Sequence, residues 1–286
     1  MGDKKSLLHW VRHAFRLWAI YARMDSLVIM RSLGTMAAWI ISDTVLNVAS
    51  ILGMLLLAER FDGIGMWSKY QVLFLLGYGS LVDGLVTTFF GYNIAFISRR
   101  LGRGQFDHTL IQPQPILLSL MTEGFNPAFG LPTMLPGIAL IVLALPHFAL
   151  SLSAVWWLLF GVNLIASVAI VLAFQFAWGS LAFRAPRAAE ELSSSSMQLI
   201  VQLKSFPLDG LGGLLAGSLI VALPVGCVAW LPCRALLGMS KGSLAFWHTP
   251  LLAVGFVIFA TVMFWKGLKY YEQVGSQRYS NFGFRS

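Results

Sequence analysis

Two carboxylates fall inside long apolar stretches of this sequence. Asp43 has Asn47 and Ser50 at helical spacing, which makes a polar stripe. Asp83 lies in GSLVDGLVTTFFGYN, with Ser80 and Thr87 on one helical face and Gly77, Gly84 and Gly91 nearby. A charge at the centre of a membrane-spanning helix costs at least ~2.5–3.5 kcal/mol, so such residues face a bundle interior or an aqueous cavity. Asp43, Asn47, Asp83 and Thr87 are therefore candidates for two roles. They could hydrogen-bond between helices that small residues allow to approach closely, or they could line a translocation path. Proton coupling is the weaker reading, because no basic residue is found within the spans to pair with either acid.

A different chemistry is offered by RRLGRGQFDHTLIQPQP, residues 99–115. Arg99, Arg100 and Arg103 supply positive charge. Asp107, or the glycines before it, can start a short helix, and Pro113 and Pro115 stop it. Phe106, Leu110 and Ile111 then form an apolar ridge on a charged surface, which suits docking to a soluble partner. Other constellations are poorer. His9 and His13 stand at i and i+4, but no third ligand is nearby, so no metal site is expected. Cys227 and Cys233 make neither a disulfide framework nor a Cys-rich metal site. There is no G-x-x-x-x-G-K-[ST] loop, so ATP binding and hydrolysis are not expected on this chain. An enzyme acting on a lipid would have to use Asp107, His108 and Glu123. A proton-coupled carrier would show inverted repeats with interrupted helices, and none is found.

The elements that must position these residues follow from composition. The chain has 286 residues, 57% hydrophobic and 11% charged, with mean hydropathy +0.75. A soluble fold cannot bury that much apolar surface, and several segments exceed the ~18 apolar residues of a spanning helix. The pattern predicts an amphipathic helix over residues 6–25. Leu7, Leu8, Trp10, Val11, Ala14, Phe15 and Trp18 form one face; His9, Arg12, His13, Arg16 and Arg23 form the other. Such a helix lies in the headgroup region and contacts membrane lipids. Spans follow at about residues 33–58, 70–97, 131–145, 155–183 and 249–265. For the fifth, hydropathy favours 212–232, but Pro224 and Pro232 interrupt it. The alternative is 190–206, with the later segment a hairpin dipping into the outer leaflet, which backbone tolerates only when surrounded by protein or water.

Either choice gives six spans. Of the 20 lysines and arginines, all but Arg60, Lys69, Arg234 and Lys241 fall on one side, or all but these and Lys204 in the second arrangement. That asymmetry places both termini and residues 99–115 in the cytoplasm. The net charge of +8 is spread over loops, and no nucleic-acid partner is expected.

Four stretches carry a family resemblance: LVDGL, GQFDHTLIQP, the block FPLDG…LPVGCVAWLPCRALLG, and FWKGLKYY. They recur at the separations of the ABC-2 group of ABC transporter permeases, in the six-span branch, which this sequence resembles over essentially its whole length. Gln112 departs from the arginine expected before the proline. The resemblance implies an all-α integral membrane protein of the bacterial inner membrane, with residues 1–32 as an interfacial helix, 33–270 as the six-span permease and 271–286 as a cytoplasmic tail. It also implies an exporter, paired with an identical or related permease subunit and driven by two cytoplasmic ATPase subunits that hold ATP and Mg. The loop after span two would be the coupling helix, with Arg99, Arg100, Arg103, Phe106, Asp107, Leu110 and Pro113 in the contact. A re-entrant hairpin between spans five and six is implied too, which selects 190–206 as the fifth.

Overall fold

The computed structural model describes residues 7–91, 97–126, 128–240 and 242–275, and among these it is helical without a named strand. The order is α1 (Leu7–Arg31), α2 (Leu33–Arg60), α3 (Lys69–Phe90), α4 (Ile97–Gly102), α5 (Phe106–Leu110), α6 (Ile116–Thr122), α7 (Leu131–Ala144), α8 (Ala154–Leu181), α9 (Pro186–Leu203), α10 (Gly213–Val221), a π-helical stretch Gly226–Trp230 running into α11 (Leu231–Leu236), and α12 (Ala245–Val274). Four of these, α2, α3, α8 and α12, are long and apolar enough to cross a membrane; α10 with the segment Gly226–Leu236 would make a fifth if bent pairs count, but the two parts meet at 84°.

Helix starts follow local chemistry. Ser68 accepts from the Gln71 amide, and the Gln71 side chain accepts from the Ser68 amide, a reciprocal capping box that opens α3. Ser153 caps α8 in the simpler way. The span expected over 70–97 stops at Phe90. Gly91 turns there at φ +53°, and a side chain would collide with the backbone of Gly124, so only glycine closes this end.

The core is a stack of α3, α7, α8 and α12. Helix α3 meets α7 through Gly77 and Gly137, where a Cβ on either would lie under 3 Å from the other's carbonyl oxygen. Close backbone approach of this kind is how apolar helices associate where no hydrophobic effect drives them together. Tyr78, fully buried, contacts Ser167 at 3.2 Å, and Ser167 donates to the Cys227 carbonyl at 3.3 Å. That bond satisfies a carbonyl in the π-helical stretch and ties α3, α8 and the bent segment together.

Helix α9 is the surprise of the architecture. Its composition, with serines at 193–196, keeps it below the apolarity of the other long helices. Yet Glu190 pairs with Arg99 beyond one end of α3, and Asp209 accepts from Trp67 just before the other end. Helix α9 therefore runs antiparallel to α3, its C-terminal end reaching the level of Asp83 at mid-helix and the link after it the level of Trp67.

Candidate functional site

Among the described residues, three side-chain contacts bolt into the fold the loop expected to dock a partner. Arg99 pairs with Glu190 of α9 at 2.9 Å. Arg100 pairs with Glu123, after α6, at 2.7 Å, and both are largely buried. The Tyr271 hydroxyl of α12 donates to Asp107 at 2.5 Å. Asp107 and Glu123 are thus occupied in separate contacts, not gathered as an acid pair beside His108. Gln112, where an arginine was expected, accepts from Ser119 at 2.7 Å and from Gln114 at 3.1 Å, closing α5 onto α6.

The expected apolar ridge needs correction. Phe106 is wholly buried, edge-on to Phe183 and Tyr271 at ring distances of 5.4 and 5.8 Å, and Leu110 is half-buried against the core. The reason is geometric: a five-residue helix laid against α8 and α12 must turn one side inward, and its aromatic side wins. The surface it leaves open carries Arg103, Gln105, His108, Ile111 and Pro113, with Ile111 80% exposed.

Helix α1 seats beside this loop and extends past the expected end at residue 25. Asn126 donates to Asp25 at 3.0 Å, and Trp18 packs on Phe89 and Phe125. Burial, with help from the Glu123 carboxylate and against the opposing pull of Arg100, raises the Tyr21 hydroxyl above its ordinary pKa. The expected faces are partly exchanged: His13 is half-buried, whereas Val11 and Phe15 are exposed. Packing of Trp18 on Phe89 and Phe125, with Tyr21 beside Glu123, fixes the inward side and turns the next stripe outward. Of the His9–His13 pair, the His9 side chain lies outside the described residues, as do the lysines at 4 and 5 and the tail from 276.

Among the span residues, Asp43 and Asn47 stay within their own helix. The Asn47 amide donates to the Asp43 carboxylate at 3.2 Å and to its carbonyl at 2.8 Å, on the half-buried face of α2. Ser50 is exposed. Asp83 behaves otherwise. It forms an ion pair with Lys204, at the C-terminal end of α9, whose side chain is only 8% exposed. This overturns the expectation that no basic residue meets the acid. Lys204 was missed because it belongs to the least apolar of the candidate spans and approaches α3 only through the tertiary fold. Beside the pair lie Gly79 and Ala229, the latter in the π-helical stretch, which leave room for the lysine stem. Ser80, Asp83 and Thr87 share a half-exposed stripe of α3, and α9 presents Ser194, Ser195, Gln198 and Gln202 outward. Ion pairs tie α9 to Arg99 of α4 near its start and to Asp83 at the middle of α3 at its C-terminal end, and α3 and α9 are not packed backbone to backbone between them.

At the other end of α3 sits a residue that sequence reasoning never singled out. Asp209 accepts from the indole N–H of Trp67 at 2.5 Å and of Trp230 at 2.8 Å on one oxygen, and from Arg234 at 2.5 Å on the other. The Arg234 guanidinium also stacks over Trp230, 5.0 Å from the ring centroid. The available signal was the FPLDG block itself, whose aspartate stands in a sequence otherwise poor in acids.

Among the described residues, no three His, Cys, Asp or Glu side chains come together as metal ligands would. No curated protein and no solved structure matches the chain. A family model does match, that of the ABC-2 family transporter proteins, over residues 44–275. With a helical bundle carrying at least four apolar helices of spanning length, and a match covering the bundle from α2 to the end of α12, this chain is a multi-pass membrane protein and belongs to the ABC-2 transporter family.

Proposed function

We propose that this protein is the membrane-spanning subunit of an ATP-driven exporter in a bacterial inner membrane, coupled to separate cytoplasmic ATPase subunits. The observation that carries the reading is the three-point attachment of the loop after α3. Arg99–Glu190, Arg100–Glu123 and Asp107–Tyr271 link it to α9, α6 and α12. A displacement imposed on such a loop is transmitted to several helices at once. The open face, with Arg103, His108, Ile111 and Pro113, would receive the ATPase, while Phe106, Asp107 and Leu110 hold the loop in shape beneath it.

Six crossings follow: α2, α3, α7, α8, α9 and α12, with α10 and the Gly226–Leu236 segment as a hairpin on the outer side. The antiparallel run of α9 along α3 supports this over a span through the 84° bend. Both termini are then cytoplasmic. The polar faces of α3 and α9, joined by Asp83–Lys204, would border the path in a dimer with an identical or related permease. ATP and Mg would be held by the partner. Export is the direction carried over from the family resemblance, and the chain itself performs no catalysis.

The test is association and hydrolysis together. The wild-type chain purified from its native membrane should bring an ATPase activity with it. An Arg103→Glu, Ile111→Asp variant should insert and fold normally yet lose that activity. Full retention of coupled hydrolysis by this variant would refute the docking face, and an ATPase-free wild-type complex would refute the reading altogether.

A further inference from the structure

The outward face of α1 has no use in the scheme above. Arg12, Arg16 and Arg23 are exposed, and at 100° per residue they fall within a 40° stripe. Among the described residues none of the three has an acidic partner. On either flank stand large apolar side chains that are also exposed: Phe15 at 62% on one side, Met24 at 57% and Leu27 at 58% on the other. The inner face is already spent on α6, Phe89 and Phe125.

This surface makes two demands. Unpaired guanidinium groups are costly in hydrocarbon, and exposed phenylalanine, methionine and leucine side chains are unfavourable in water. The headgroup layer of an anionic membrane meets both, with phosphate oxygens for the planar guanidinium forks and acyl chains for the flanks. A soluble protein would cover the arginines, but apolar flanks on both sides of a basic stripe fit a lipid layer better. The position agrees, since α1 runs through Ser32 directly into the apolar α2.

We infer that Arg12, Arg16 and Arg23 form a binding surface for anionic phospholipid headgroups, so that α1 selects acidic lipids around the subunit. This rests on the reading of the chain as a membrane-embedded permease with α1 at the inner leaflet.

The test uses the purified full chain in phosphatidylcholine bilayers with spin-labelled phosphatidylglycerol or spin-labelled phosphatidylcholine. Wild-type protein should immobilise the anionic probe in preference to the zwitterionic one by at least roughly fivefold, the worth of one basic residue at an anionic surface. The Arg12→Gln, Arg16→Gln, Arg23→Gln variant should lose that preference while immobilising as much total lipid. A Lys266→Gln, Lys269→Gln variant, which removes exposed charge elsewhere, should keep it. Equal preference in wild type and the arginine variant would overturn the inference, as would an equal loss in the lysine variant. A wild-type chain that immobilises lipid without headgroup preference leaves α1 for a protein partner and sinks this inference alone. A chain that immobilises neither probe sinks the membrane reading with it.

Discussion

The two ends of α3 are secured in opposite ways. At the Trp67 end, one carboxylate gathers everything: Asp209 receives two indoles and a guanidinium, from the loop before α3 and from the bent segment. At the Arg99 end, the work is divided among three separate pairs on α9, α6 and α12. A node with one acceptor fails as a unit, because its loss strands three donors. A set of separate pairs fails by degrees, and each pair can break while the others hold. The first arrangement suits a fixed point, and the second suits the moving role proposed for the loop after α3. The mid-helix pair Asp83–Lys204 lies between them in character, a single contact joining α3 to the end of α9.

The contrast is broken most directly at Asp209. Asp209→Ala should destabilise the purified protein by about 3–5 kcal/mol, as expected when a buried charged group loses its partner and the donors stay behind. Thermal unfolding in detergent would register it. A loss under about 1 kcal/mol would mean the three donors find other acceptors. The node would then not be a fixed point.

The Asp83–Lys204 pair comes next. Asp83→Asn should cost roughly 1–3 kcal/mol, because it leaves a nearly buried ammonium without its counter-charge. A Lys204→Met partner change should restore part of that, with a coupling of about 0.5–3 kcal/mol in the double-mutant cycle. Additive single effects would show that the two side chains do not meet in the folded protein.

At the divided end each single loss should be smaller. Arg99→Gln is expected to cost at most about 1 kcal/mol, since its side chain is 43% exposed and the other two pairs remain. The sharper measurement is combination: removing Arg99 and the Tyr271 hydroxyl together should reduce coupled ATP hydrolysis far more than stability. If a single change here unfolds the protein as Asp209→Ala does, the comparison between the two ends collapses.

The smallest structural effect belongs to the open face. Ile111→Ser should move stability by no more than about 0.5 kcal/mol, because the side chain touches little within the chain. Its effect should appear only in the amount of ATPase retained on purification. A large stability change would place Ile111 in the same buried role as Phe106.

Much of this was legible residue by residue. Composition and apolar run lengths established a helical membrane protein, and Asp107 or the glycines before it, with Pro113 and Pro115 after, marked a short helix in the loop, which is found at Phe106–Leu110. Those properties are local or additive: hydropathy sums over a segment, and a proline stops a helix whatever lies beyond it. Pro224 likewise announced a break, found as the 84° bend.

What only the tertiary structure decided was partnership. Asp83 looked isolated in the sequence because its lysine arrives on a helix of low hydropathy, and hydropathy says nothing about which helices adjoin. Phe106 reads as surface in a basic loop, but aromatic area beside Phe183 and Tyr271 is worth more buried than exposed. Asp209 and Trp67 are 142 positions apart, and Asp107 and Tyr271 are 164 apart. No window along the chain contains either pair. The amino-acid sequence thus determined by itself that this protein enters a membrane and where its apolar segments lie, whereas the ends of α1 and α3 depend on contacts with distant segments. Which charges neutralise one another was decided by packing, because the cost of an unpaired buried charge is settled between helices and not within one.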